Sequence, residues 1–105
     1  MPTTKEQRDE LLAKISSTGS YTTRLMMGEY LLYRDGLLIG GFYDGQLLLK
    51  KVPATKALRL PKVEPYPEAK KKLYLVRDLD DTKKLKEVLD LTYTHLLEKQ
   101  NQKTA

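Results

Sequence analysis

The chain has 105 residues, no cysteine, one histidine and a formal charge of +5. That length fits one domain able to bury a core without staples, and the missing cysteines exclude disulfides, thiolate metal sites and thiol catalysis. No apolar run approaches the roughly 20 residues of a membrane helix, and the opening MPTTKEQRDELLAKI has no apolar leader region, so a cytoplasmic protein without membrane contact is expected.

Residues 4–15 read as a helix. Thr4 with Gln7, and equally Thr3 with Glu6, have capping-box spacing, and Leu11, Leu12 and Ile15 give an apolar stripe at helical period. Ser16, Ser17, Thr18 and Gly19 end it. The next stretch, MMGEYLLYRDGLLIGGFYDGQLLLKK, contains Asp35-Gly36 and Asp44-Gly45. Asp-Gly suits a two-residue hairpin turn in which both central residues take positive φ, so a three-strand meander is expected over 24–33, 37–43 and 46–51.

Counting out from the turns fixes the faces. Leu31, Tyr33, Leu38, Phe42, Leu47 and Leu49 share one face, expected to lie under helices. Tyr30, Leu32, Leu37, Ile39, Tyr43 and Leu48 share the other, with Arg34, Gln46 and Lys50 at its ends. This second face has no evident cover, which makes Tyr30, Leu32, Ile39, Tyr43 and Leu48 a candidate interaction surface. Gly40-Gly41 sits inside the central strand, where glycine signals a bulge or a close approach. A bulge would swap the faces beyond it; a large neighbouring side chain packed on the bare backbone is the plainer reading.

Residues 53–60 read as a short helix begun by Pro53, with Ala54, Ala57 and Leu58 inward. Pro61, Pro65 and Pro67 forbid regular helix beyond. Residues 71–76 form a strand, with an edge strand pairing near 63–66. Asp80 is the expected cap of the last helix, with Asp81 in its first turn. Leu85, Val88, Leu89, Thr92 and Leu96 mark its buried face. The domain is expected over 1–98, with 99–105 a polar, frayed tail.

The order of these motifs resembles the N-terminal domain of the TfoX/Sxy family. The likeness rests on Arg24, Met26, Gly28 and Tyr30; on Leu32, Tyr33, Asp35 and Gly36; and on Tyr43, Asp44, Leu47 and Lys50, and it extends over about 21–97. The resemblance implies an α+β domain in the order α-β-β-β-α-β-β-α, with helices packed on an antiparallel sheet. It also implies a bacterial regulatory protein. Larger relatives add a helical C-terminal domain, are known as regulators of competence genes and are described as acting with the cyclic-AMP receptor protein. It supplies no catalytic residues.

Eight basic and two acidic residues lie between Lys50 and Lys72, a local +6 against −1 for the remainder. Lys50, Lys51, Lys70, Lys71 and Lys72 form a candidate basic patch that could attract a polyanion; a solvated lysine-rich edge explains them as well. Glu29 falls among apolar neighbours and needs a partner, which Arg24 or a lysine could supply; Arg24 with Glu29 is the candidate structural ion pair. His95 alone makes a poor metal site. Asp78, Asp80 and Asp81 lack the calcium-loop pattern. No phosphate loop, dinucleotide pattern or nucleophile elbow occurs. The expectation is a non-enzymatic module with no cofactor, metal or small-molecule substrate. It would act as a homodimer or by binding a protein partner through the sheet, with nucleic-acid binding through 50–72 as the alternative.

Overall fold

Thr4 starts the first helix as its sequence suggests. Its hydroxyl accepts from the Gln7 N–H at 3.1 Å and the Gln7 side chain accepts from the Thr4 N–H at 2.9 Å, closing the capping box. The helix, α1, spans Lys5–Ile15 and passes into a 3₁₀ turn, Ser16–Thr18. These elements belong to a computed structural model that describes residues 2–104.

Four antiparallel strands follow: β1 (Tyr21–Met26), β2 (Glu29–Arg34), β3 (Leu37–Tyr43) and β4 (Gln46–Leu49). The single strand expected over 24–33 is thus two strands, divided at Met27-Gly28. All three hairpin turns carry positive φ at both central residues: 52° and 85° at Met27-Gly28, 48° and 82° at Asp35-Gly36, 53° and 72° at Asp44-Gly45. Asp-Gly announces this turn type, but methionine in its first position does not.

After β4 the chain makes a 3₁₀ turn over Pro53–Leu58. The residue it buries is Thr55, whose hydroxyl donates to the Val52 carbonyl; Ala54, Ala57 and Leu58, expected inward, are exposed. The tighter 3₁₀ period changes which side chain turns inside. Two short strands complete the sheet, β5 (Lys62–Val63) at the edge and β6 (Leu73–Val76) between β5 and β4. The order is β1-β2-β3-β4-β6-β5, antiparallel throughout. The fold is an antiparallel α+β domain.

The last helix, α2, spans Thr82–Thr104. Its cap is Asp81, not Asp80: the Asp81 carboxylate accepts from the Lys84 N–H at 3.2 Å. Asp78 accepts from the Asp80 and Asp81 N–H groups, and Asp80 pairs with Lys14. The helix also continues through most of the expected frayed tail, whose residue 105 lies outside the described residues.

Both helices cover one face of the sheet. Leu11 and Ile15 of α1 and Leu85, Val88 and Leu89 of α2 pack on Tyr30, Leu32, Ile39, Phe42, Leu47, Leu49 and Val76. Thr92 is buried in the same stripe with its hydroxyl donating to the Val88 carbonyl at 2.7 Å. The opposite face holds a smaller cluster of Tyr43, Leu48 and Leu75, with Val63 and Leu73 packed against it.

Candidate interaction surface

Which residues reach the open face is decided by one irregularity. Tyr33 pairs with Leu38, yet Leu32 pairs with Gly40, so Ile39 is an extra residue in β3 and the strand bulges there. Because side chains alternate along a strand, one inserted residue reverses every assignment made by counting across it. Tyr30, Leu32 and Ile39 therefore face the helices and are buried in the main core, which removes them from the candidate surface. Tyr43 and Leu48, beyond the bulge, lie on the open face as expected. The residues that join them are Leu31, Tyr33 and Leu38, which counting had placed under the helices.

The glycine pair explains how the bulge is accommodated. A Cβ on Gly40 would lie 2.1 Å from the Leu48 carbonyl oxygen, so β4 can approach only a bare backbone. A Cβ on Gly41 would lie 2.6 Å from the Tyr43 ring, which lies against that backbone on the open side. A neighbouring aromatic thus fills the space, as the sequence reading preferred.

Residues 64–72 connect β5 to β6 and border the open face. Between this segment and the strands runs a groove of about 570 Å³, with Leu31, Leu38, Tyr43, Leu73 and Met26 as its apolar lining and Lys50, Lys70 and Lys71 along its rim. Pro65, Tyr66 and Glu68 complete its wall. The hollow continues past Tyr66 to Met26 and Met27 at the β1–β2 turn. Beyond Tyr43 its lining turns acidic, with Glu29, Asp44 and Glu64. Tyr66 is 57% exposed and Met27 95%, an unusual state for large apolar side chains set beside one another. Burial pushes the Tyr43 hydroxyl above its ordinary value, reinforced by Tyr66 and Glu29, so it stays protonated through the neutral range.

One expected ion pair and one expected patch are not formed as read. The Glu29 carboxylate accepts from the Thr3 N–H at 2.7 Å and from the Asp44 N–H at 3.2 Å, with the Thr3 hydroxyl also 2.7 Å away. Its partners are these groups, and among the described residues it makes no ion pair with the exposed Arg24. The basic patch divides as well: Lys50, Lys70 and Lys71 line the groove, whereas Lys51 and Lys72 are exposed outside its lining.

Compared with protein-family models, curated proteins and solved structures, the chain matches none. Its own geometry carries the functional reading. Among the described residues no group of three or more His, Asp or Glu side chains is placed to hold a metal ion, and no helix is long and apolar enough to cross a membrane. His95 lies beside Glu98, Lys99 and Gln102 on the outer turns of α2. A second hollow, about 310 Å³, lies between the Pro53–Leu58 turn and α2, floored by Leu58, Leu60, Val76, Leu85 and Val88. The larger groove escaped the sequence reading for two reasons. The bulge hid Leu31 and Leu38, and Tyr66 lies in a proline-rich segment with no period to place it.

Proposed function

We propose that this chain is a non-enzymatic regulatory module whose open sheet face receives an acidic segment of a partner protein carrying apolar anchors. The observation that carries this reading is the groove itself: an apolar floor of Leu31, Leu38 and Leu73 rimmed by Lys50, Lys70 and Lys71. Apolar anchors in a pocket supply affinity, and rim charges steer the encounter and select the partner. A nucleic acid would want an unbroken positive track with stacking rings. Here Glu68 interrupts the lysines and the floor is chiefly aliphatic, so a protein segment fits better. The motif likeness to the N-terminal domain of TfoX/Sxy regulators supports the same reading, a domain that works in regulation by contact with other macromolecules.

The test is a titration of the isotope-labelled chain with a synthetic peptide alternating glutamate with leucine and phenylalanine, beside a short oligothymidylate at low salt. The peptide is expected to shift the amides of Leu31, Leu38 and Leu73. Leu38→Asp should abolish the effect, and Lys70→Glu with Lys71→Glu should weaken it about tenfold. Tighter, salt-sensitive binding of the oligothymidylate would replace this reading with nucleic-acid binding. No shift with either probe would overturn it.

A further inference from the structure

The two edges of the sheet are built differently. β5 has only two residues and is flanked by Pro61 and Pro65, a blunt edge that offers little to another strand. β1 has six, and it pairs with β2 without a break in register from Tyr21↔Arg34 to Met26↔Glu29. It contains no proline, lysine or bulge to deter strand addition, and its one charged side chain is the exposed Arg24. Its last residues, Leu25 and Met26, are 63% and 42% exposed.

Hydrogen bonding shows which groups this edge offers. The Asp35 N–H donates to the Ser20 carbonyl at 3.0 Å, and Met26 faces Glu29 across a two-residue turn. Ladder bonds alternate along an antiparallel pair, so Ser20, Thr22, Arg24 and Met26 bond inward to β2. Tyr21, Thr23 and Leu25 point their N–H and C=O groups outward, and among the described residues none of these meets a partner. Three consecutive outward-facing sites form a template for another strand.

We infer that this edge pairs with the β1 strand of a second copy, antiparallel, with Thr23 on the two-fold axis. The register follows from charge and parity. A two-fold axis normal to the sheet pairs residues of the same face, so the axis falls on a residue. Placed on Arg24 it sets two guanidinium groups directly opposite one another, a destabilising like-charge pair. Placed on Thr22 it opposes Leu25 to Gly19 and leaves that leucine without a side-chain partner. Placed on Thr23 it opposes the two threonines, sets Thr22 across from Arg24, and covers Leu25 with Tyr21 of the other copy. It also engages all three outward sites. Both helical layers then lie on one side of a twelve-stranded sheet. This inference rests on the edge alone and is independent of the groove.

Because the chain has no cysteine, a single introduced one reports the register. Residues directly opposite in a hydrogen-bonded pair have Cα atoms about 5.5 Å apart, within disulfide reach. Thr23→Cys is expected to cross-link to a covalent dimer under mild oxidation and Thr22→Cys much more slowly, while sedimentation of the native full-length chain shows a concentration-dependent dimer. Thr23→Pro removes only an outward N–H and should yield a folded monomer. Thr22→Glu gives two new pairs with Arg24 and should tighten the dimer about fivefold. A native chain that stays monomeric at high concentration overturns the inference, and so does faster cross-linking at position 22 than at 23.

Discussion

The Arg34 guanidinium donates to the Asp90 carboxylate at 2.8 Å and so ties β2 to α2. Arg34 lies 4.7 Å from the centre of the Tyr93 ring, and Gly19 leaves room for it, since a Cβ there would come within 2.8 Å of its Nε. Asp90→Ala leaves a largely buried cation without its anion and should cost about 1.5–3 kcal/mol, read from urea unfolding. Lys86, the outer partner of Asp90 at 2.6 Å, is exposed, and Lys86→Ala should cost no more than about 0.5 kcal/mol.

The same pair sets a pH dependence. Burial pushes the Asp90 carboxyl up, but hydrogen bonds from Lys86 and Arg34 outweigh it and hold the group below its ordinary value. A carboxyl depressed on folding binds fewer protons in the native state than in the unfolded chain. Its contribution is therefore whole above the unfolded value near about 4 and is lost as pH falls through the lower folded value. The stability gap between the native chain and Asp90→Asn should stay level from neutral pH to about pH 5 and then close on further acidification. A gap that widened in acid would show that Asp90 is not held as an anion.

Met27 occupies a left-handed position, φ 52°, where the other two hairpin turns place aspartate, and it is 95% exposed. Asparagine tolerates that conformation at lower cost. Met27→Asn should raise stability by about 0.5–1 kcal/mol, visible as a higher melting temperature. If Met27 contributes to the groove, the same substitution should weaken peptide binding, so that stability and binding move in opposite directions.

These particulars show how far the sequence could be read. The capping box at Thr4 and the turns at Asp35 and Asp44 were legible because each is a local rule satisfied within a few residues. The leucine–valine stripe of α2 was legible because period alone reveals a buried helical face. The turn at Met27 was not, since its first residue breaks the preference by which such turns are recognised. The open face was misassigned at Tyr30, Leu32 and Ile39 because parity is carried along a strand, and the bulge at Ile39 depends on how closely β4 approaches Gly40. The Glu29 partnership joins residues 26 positions apart, a relation that no spacing rule contains.

Glycines 36 and 40 separate two kinds of requirement. Gly36 has φ 82° and nothing within 4 Å of where a Cβ would sit, so Gly36→Ala incurs only left-handed strain, about 1–2 kcal/mol. Gly40 would drive its Cβ into the Leu48 carbonyl and the Leu49 Cα, both backbone atoms that cannot swing aside. Gly40→Ala should therefore cost at least about 3 kcal/mol and disturb the β3–β4 pairing, seen as altered amide shifts for Leu48 and Leu49. Equal costs at the two sites would mean that the bulge absorbs a side chain and that the close approach is not required.

The contact of Thr3 with Glu29 acts as a latch between the chain's start and the β3–β4 turn. The Thr3 hydroxyl accepts from the Gly45 N–H at 3.0 Å and lies 3.1 Å from the Phe42 carbonyl, while the Glu29 carboxylate accepts from the N–H groups of Thr3 and Asp44. Thr3→Val keeps the shape and leaves the Gly45 N–H and the Glu29 carboxylate short of a partner, a loss of about 1–2 kcal/mol. Glu29→Ala frees the neighbouring N–H groups of Thr3 and Asp44 from the other side. Since both act on one network, the double variant should cost less than the sum of the two, with a coupling of about 0.5–3 kcal/mol. Hydrogen exchange places the effect: the amides of Thr3, Asp44 and Gly45 should lose protection in either variant, while that of Leu75, across the sheet in β6, holds. A uniform fall in protection, or strictly additive costs, would show that these groups stabilise the fold separately and do not form a latch.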